Sequence, residues 1–209
     1  MKYRAVLWDI DGTLYGMNPG GMKEIRIQRR MEVADWVPDE RPEFLTPYDG
    51  LAELMAQIPS ERQGIITNGS GKLQRGKLSL MGLDQYVNPE LIFASYEQAE
   101  KVLEDPEHPL LKGFTNRESH QKDVVAVGMK TQKPKRYMFE RALEVLGLDA
   151  EDCVMVGDDW KDIVGAQEVG MNTIYIEGLR RPGPVEKGDV VPDFTVEKGD
   201  IASLTELLI

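Results

Sequence analysis

The sequence predicts an α/β protein built on a parallel β-sheet, and three features of the chain support this fold class. Short apolar runs bounded by turn residues alternate with segments in which apolar residues recur three and four positions apart. That alternation is typical of parallel strands joined by crossover helices. The first, second and fourth of the runs also end in polar clusters, at the points where ligand-binding loops leave such a sheet.

The elements follow in order along the chain. The apolar runs are predicted to be strands: Ala5–Trp8, Gly64–Thr67, Leu91–Ala94, Cys153–Val156, Thr173–Ile176 and Phe194–Val196. The segments with helical periodicity are predicted to be helices: Tyr48–Gln57, Lys72–Met81, Lys135–Leu146, Ile163–Val169 and Ile201–Leu208.

The chain of 209 residues is long enough for one well-buried domain, 1–209, with small accessory pieces. Residues 15–46 are predicted to form a small cap insertion that holds one helix, Met22–Trp36. Residues 97–132 form a second insertion of uncertain role, between a strand and a helix that a compact crossover would join directly. Both insertions are candidate lids.

Composition narrows the classes of function and partner. The net charge of −11 argues against binding to a nucleic-acid polymer, which requires basic patches. An acidic protein that acts on an anionic substrate needs a metal ion or local cations. The single cysteine, Cys153, cannot form an internal disulfide, and this fits a reducing compartment. The apolar run behind the N-terminus is too short for a signal peptide or a membrane span, so we expect a cytoplasmic protein without membrane contact.

Two carboxylates follow the first predicted strand directly. Asp9 and Asp11 stand two residues apart in the segment Asp9-Ile10-Asp11-Gly12-Thr13. If the backbone bends there, one carboxylate can attack a substrate as nucleophile while the other handles the proton of the leaving group. By itself, an Asp-x-Asp-Gly segment is more often a structural turn.

Two further clusters follow the second and fourth predicted strands. Thr67-Asn68-Gly69-Ser70 offers a hydroxyl and backbone amides near the start of a helix, which is typical of a phosphate-binding loop. Gly157-Asp158-Asp159-Trp160-Lys161-Asp162 carries closely spaced acids, and such oxygen ligands suit Mg²⁺. Thr67, Asn68 and Gly69 are therefore candidate phosphate ligands, although Asn68 also suits an ordinary turn.

Together these segments resemble the haloacid dehalogenase (HAD)-like hydrolase superfamily, phosphatase branch. That family carries a DxDGT motif, a strand ending in Thr-Asn-Gly or Ser, a lysine before a helix and a closing GDxxxD motif. The segment Gln132-Lys133-Pro134-Lys135-Arg136-Tyr137-Met138-Phe139 is similar to the lysine element of the family. The resemblance implies a Rossmann-like, doubly wound parallel sheet and covers the predicted core from Ala5 to Leu208, but not the two insertions.

The resemblance also implies roles for the residues that match the motifs. Asp9 corresponds to the nucleophile and a metal ligand, and Asp11 to the acid/base, whose main-chain carbonyl is a second metal ligand. Lys133 corresponds to the residue that neutralises phosphate and nucleophile, with Lys135 as the nearby rival. Family dehalogenases lack a carboxylate at the position of Asp11, and transport ATPases have Thr there, so phosphoryl transfer is favoured.

The remaining matches concern the metal ion and its surroundings. Asp158 corresponds to the direct carboxylate ligand of the cofactor, Mg²⁺. Asp162 is expected to support the metal or to orient Lys133. Supporting roles are also expected for Thr13, which equally suits a cap of the following turn, and for Asp159, where the family often has Ser.

The expected substrate is a small phosphorylated metabolite, such as a sugar phosphate, phosphoglycolate or a nucleotide monophosphate. Two alternatives stay open: a phosphomutase of the same superfamily, and a catalytically idle binding or regulatory protein on the same fold. Self-association into a homo-oligomer is also left open.

Overall fold

The computed structural model describes residues 1–16, 45–112, 114, 119–177 and 190–209. Most of the predicted cap, 15–46, and its helix Met22–Trp36 lie outside the described residues.

Six parallel strands form one sheet, and each corresponds to a predicted strand to within a residue at either end. Their bounds are β1 Ala5–Trp8, β2 Gln63–Thr67, β3 Ile92–Ala94, β4 Cys153–Gly157, β5 Asn172–Glu177 and β6 Phe194–Glu197. The strand order is β3-β2-β1-β4-β5-β6. The α/β class and the doubly wound parallel sheet are thus confirmed.

The strand order places β1 between β2 and β4. From β1 the chain builds outward through β2 to β3, and then returns to the other side of β1 to begin β4. Trp8, the last residue of β1, pairs with Ile65 of β2 and with Val156 of β4. The polar clusters that follow these three strands therefore leave the sheet side by side, at the change in strand order where open α/β sheets bind ligands.

Seven α-helices are found among the described residues. Their bounds are α1 Leu51–Gln57, α2 Gly71–Met81, α3 Ser95–Glu104, α4 His120–Thr131, α5 Tyr137–Leu146, α6 Trp160–Glu168 and α7 Ile201–Leu208. Short 3₁₀ turns occur at Ser60–Arg62, Asp84–Tyr86, Pro89–Leu91, Pro109–Leu111 and Ala150–Asp152. No helix in these ranges is long and apolar enough to cross a membrane.

Apolar side chains alternate between the two faces of the sheet. Val6 and Trp8 of β1 belong to a core that includes residues of α1, α2 and α7, whereas Ala5 and Leu7 belong to a second core with residues of α5 and α6. Successive residues of a strand point to opposite faces, so helices are required on both. This burial on both faces fixes the positions of the strand ends that carry the polar clusters.

The second predicted insertion, 97–132, is largely helical. It contains most of α3 and all of α4, which pack around a small core of their own: Ala99, Val102, Leu111 and Val127. The helix pair extends the crossover between β3 and α5, and α4 ends two residues before Lys133.

Candidate active site

Asp9 and Lys133 meet at the carboxyl end of β1. Lys133 Nζ lies 2.7 Å from Asp9 Oδ1 and also donates to the carbonyl of Ile66 in β2, at 2.9 Å. Both side chains are buried, and the Asp9 amide donates to the carbonyl of Val156 in β4. The predicted nucleophile and the predicted lysine, 124 residues apart in sequence, are therefore in direct contact. Lys135, the rival, is exposed.

Asp162 provides a second carboxylate to Lys133. Its Oδ1 lies 2.5 Å from Lys133 Nζ, and its Oδ2 accepts the backbone N–H of Asp159 in a capping box that begins α6. Burial alone would lower the pKa of Lys133, but Asp162 and Asp9 outweigh it and raise that pKa. Burial raises the pKa of Asp162, because Lys133 offsets only part of the cost of burial and Asp9 adds to it.

Three buried carboxylates converge at this point. Asp9, Asp158 and Asp162 each offer an oxygen within 4.8 Å of the others. Among the described residues, the ammonium of Lys133 lies against two of these carboxylates, and such a concentration of buried acidic groups is costly unless positive charge compensates it. A divalent cation with oxygen ligands provides such charge, and Mg²⁺ therefore fits this set of residues.

Glycine is required beside Asp158. A Cβ atom added to Gly12 would lie 2.0 Å from Asp158 Oδ2, and Gly12 has a φ of +96°. Tyr48 donates to the Gly12 carbonyl at 3.3 Å, and burial, followed by the charge of Asp158, raises the pKa of Tyr48 to about 12. The loop between β1 and Tyr15 thus passes close over Asp158.

Asp11 is held by three side chains of the scaffold. Its Oδ1 accepts from Lys77 Nζ and from the Tyr15 hydroxyl, both at 2.5 Å, and its Oδ2 accepts from Gln74 Nε2 at 3.5 Å. Burial raises the pKa of Asp11, but Lys77 and the hydrogen bonds prevail and lower it to about 2. In this arrangement Asp11 is ionised at neutral pH.

Lys77 and Gln74 lie outside the motifs that the sequence carries. Both lie on the buried stripe of α2, together with Leu78 and Met81. Two polar residues at i and i+3 of an otherwise apolar stripe are a signal that the sequence contains. The residue that these two side chains contact, by contrast, depends on how α2 packs against the loop after β1.

The Thr67-Asn68-Gly69 cluster lies beside Lys133. Asn68 Oδ1 accepts the backbone N–H of Lys133 at 2.9 Å, and Asn68 Nδ2 lies 3.5 Å from the Lys133 carbonyl oxygen. The Gly69 amide donates to Ser95 Oγ at 2.9 Å. Thr67 is buried at the end of β2. The cluster is in the expected place, and Asn68 also fixes the backbone that carries Lys133; phosphate binding by the three residues stays a prediction.

The supporting residues divide into two kinds. The Thr13 hydroxyl lies 3.5 Å from Asp158 Oδ1, within the site. Asp159 is the N-cap residue of α6, and its carboxylate accepts the N–H of Lys161 at 3.1 Å. Its contribution to the site is therefore through the start of α6, which positions Asp162.

Comparison with known proteins agrees with this geometry. A family model described as HAD-hydrolase-like matches residues 131–201, which contain Lys133, Asp158 and Asp162. The phospholysine phosphohistidine inorganic pyrophosphate phosphatase of Mus musculus is 34% identical over 89 residues, 40% of this chain and 32% of that protein. An acid sugar phosphatase of Staphylococcus saprophyticus is 32% identical over 99 residues, 44% of this chain and 38% of that protein. The matched segments thus span about a third of these relatives.

Solved structures share the fold at lower identity. The putative HAD-hydrolase YfnB from Bacillus subtilis, bound to magnesium, has a TM-score of 0.59 and 18% identity, with coverage of 100% of this chain and 99% of that one. A dehalogenase solved with an intermediate complex has a TM-score of 0.61 and 16% identity, with coverage of 99% and 97%. Residues 131–201 thus match the HAD-like hydrolase family model, and the six-stranded parallel sheet agrees with the fold of these solved structures.

Proposed function

We propose that the protein is a Mg²⁺-dependent phosphatase that hydrolyses a small organic phosphate monoester through an aspartyl-phosphate on Asp9. The observation that carries the proposal is the contact of Lys133 with Asp9 and Asp162, at 2.7 and 2.5 Å, beside a second acid two residues after Asp9. An ammonium there lies against the nucleophile, where it also offsets the negative charge of an incoming phosphate.

In the first step, a carboxylate oxygen of Asp9 attacks the phosphorus atom. A bond forms between that oxygen and phosphorus, the bond from phosphorus to the ester oxygen breaks, and the alcohol leaves with a proton from Asp11. The charge of the bound phosphate raises the pKa of Asp11 by like-charge repulsion, which favours the protonated form that this step needs.

In the second step, a water molecule attacks the phosphorus atom of the aspartyl-phosphate. Asp11, now ionised, accepts the proton of the water, inorganic phosphate leaves, and the carboxylate of Asp9 is restored. Lys133 stays paired with Asp162 throughout, so one of its two anionic partners is constant while the charge on Asp9 changes.

Asp9, Asp158 and the main-chain carbonyl of Asp11 would hold Mg²⁺, with Asp162 close by. When bound, the ion supplies positive charge that stabilises the phosphoryl group in the transition state. Thr13 and Gly12 shape this side of the site, since the first contacts Asp158 and the second leaves room for it.

The class of substrate rests on the relatives. The name of the staphylococcal relative says that it acts on sugar phosphates, and by analogy we assign this chain a small phosphorylated metabolite. Some structural neighbours are dehalogenases, but Asp11 provides the second acid that a phosphate ester, unlike a carbon–halogen bond, requires to protonate its leaving oxygen.

The test is release of inorganic phosphate from a panel of phosphate monoesters, with Mg²⁺ and with a chelator. We expect turnover that needs Mg²⁺ and that falls at least about 10³-fold in Asp9→Asn, since the covalent route is removed. Asp84→Asn, which changes an exposed aspartate, is the matched control and should keep its activity. Undiminished turnover in Asp9→Asn would refute the mechanism, and transfer of phosphate within the substrate would favour a phosphomutase.

A further inference from the structure

Lys77 is a buried lysine outside the motifs. It lies in the middle of α2 and is 4% exposed, with Leu78 and Met81 of the same stripe in the core. A buried ammonium is stable only with a charged or hydrogen-bonded partner. Among the described residues, Asp11 is the carboxylate that provides it, at 2.5 Å.

The surroundings of Asp11 restrict its side chain to one orientation. Lys77 and the hydroxyl of Tyr15 both bind Oδ1, so rotation about the Cβ–Cγ bond would break two short contacts at once. Tyr15 is itself fully buried, and its backbone forms a β-bridge with Pro47. Both donors are buried, which leaves them little room to follow the carboxylate if it moves.

Gln74 restricts the other carboxylate oxygen. Its Nε2 donates to the carbonyl of Asn68 at 3.1 Å and lies 3.5 Å from Asp11 Oδ2. The buried Gln74 Oε1 has no hydrogen-bond partner in the described part of the chain. Exchanging the two ends of the amide would set Oε1 against two acceptors, so the orientation shown is the one that the site allows.

These contacts leave part of the carboxylate accessible. The Asp11 side chain is 27% exposed, whereas Lys77 is 4% exposed. A carboxylate can accept about four hydrogen bonds, and among the described residues Lys77, Tyr15 and Gln74 donate three. One position of Asp11 is therefore available to a substrate while the others are fixed by the protein.

We propose that Lys77 is a positioning residue which, together with Tyr15 and Gln74, holds the carboxyl group of Asp11 where it meets the leaving-group oxygen of the substrate. This inference rests on the proposed function, since it assigns Asp11 the proton transfer to the leaving group. Lys77 acts on that step through Asp11 and does not contact the substrate.

The test compares leaving groups. A p-nitrophenolate leaves without protonation, whereas an alkoxide does not, so loss of a positioned acid should slow alkyl phosphates selectively. For Lys77→Met we expect kcat/KM to fall about 10–100-fold for glycerol phosphate and less than about threefold for p-nitrophenyl phosphate, since proton transfer contributes about 10²–10⁴-fold. Differences in how the two esters bind cancel when each variant is compared with wild type.

Two further variants distinguish loss of positioning from misfolding, and a third serves as control. Tyr15→Phe removes a single hydroxyl and should show the same selectivity with a smaller loss. Lys77→Arg keeps the charge and should restore part of the alkyl phosphate activity. Lys101→Met, the control, removes a lysine that is 59% exposed and pairs with Glu97 on α3, and it should leave both rates unchanged.

The outcomes separate this inference from the proposed function. Equal losses for both esters in Lys77→Met and Tyr15→Phe, or no loss in either, would overturn the positioning role while wild type remained a phosphatase. A wild-type protein that hydrolyses neither ester, with Mg²⁺ present, would overturn the proposed function and this inference with it.

Discussion

Replacing Lys133 by Met tests the charge balance at the centre of the site. Met has a similar volume and no charge, so the substitution removes the ammonium without leaving a large cavity. Lys133 is 4% exposed, and its partners Asp9 and Asp162 are buried as well. Without the lysine, two buried carboxylates lose the group that compensates them.

The expected cost follows from that burial. Removing one partner of a buried ion pair typically costs about 3–5 kcal/mol, because an uncompensated charge remains. For a domain of this size, each kcal/mol corresponds to about 2–4 °C in Tm, so we expect Tm to fall by about 6–20 °C. Lys133→Met combined with Asp162→Asn should recover part of this loss, because one of the orphaned charges is then absent.

The measurement is thermal and urea unfolding in the presence of a chelator, so that no cation replaces the lysine. Lys135→Met is the matched control: it removes an exposed lysine two residues away and should change the free energy of unfolding by less than about 0.5 kcal/mol. If Lys133→Met unfolds within about 1 kcal/mol of wild type, the ion pairs do not compensate the buried carboxylates and the reasoning is wrong.

Three other predictions concern the loop after β1 and the start of α6. Gly12→Ala should destabilise the protein by about 1–3 kcal/mol and abolish turnover, because the added Cβ would lie 2.0 Å from Asp158 Oδ2. The control is Gly82→Ala: Gly82 also has a positive φ, but a Cβ there would meet no atom within 4 Å. This control should lose about 1 kcal/mol of stability and keep its activity. Saturating Mg²⁺, at about 100 times its Kd, should stabilise wild type by about 2.7 kcal/mol. Asp158→Asn should lose that stabilisation in thermal unfolding, whereas Asp159→Ala should lose about 1 kcal/mol of helix capping and keep the response to Mg²⁺. The pKa of Asp11 is lowered to about 2, so its ionised form contributes stability above the unfolded pKa of 3.8 that is lost as pH falls through 2. Between pH 4 and pH 2, the free energy of unfolding of wild type should therefore fall by about 1–2 kcal/mol more than that of Asp11→Asn. Equal decreases in the two proteins would contradict this.

The strands and the site motifs could be predicted because their signals are local. A strand buried on both faces reads as a continuous apolar run, and β1, β2 and β4 each pass directly into a polar cluster. Since all strands are parallel, adjacent strands bring those clusters to one edge of the sheet. The approach of Asp9 to Asp158 follows from this arrangement, whereas Lys133 lies between two helices and was assigned by resemblance alone.

Helix starts were less accurate where turn geometry intervenes. The predicted helix Tyr48–Gln57 begins at Leu51, since Gly50 adopts a φ of +81° and ends the preceding turn. The predicted helix Lys135–Leu146 begins at Tyr137, after the Lys133–Pro134 turn. Apolar periodicity continues through such turns, so it does not mark where the helix starts.

Contacts between distant polar residues could not be predicted. The sequence shows that Lys77 lies on the apolar stripe of a helix, but its pairing with Asp11 spans 66 residues and depends on the packing of α2. The bonds between Asn68 and the backbone of Lys133 likewise require the folded chain. Periodicity identifies the buried face of an element and says nothing about what covers it.

The β-bridge between Tyr15 and Pro47 has a consequence for protein engineering. Tyr15, four residues beyond Asp11, is bridged to Pro47, so the two ends of the intervening segment lie next to each other. A segment grafted between these two residues joins ends that are already adjacent, and loop closure becomes only slowly more costly with length. We therefore expect that segments of different length can be exchanged between Tyr15 and Pro47 while the carboxylates and lysines of the site keep their places.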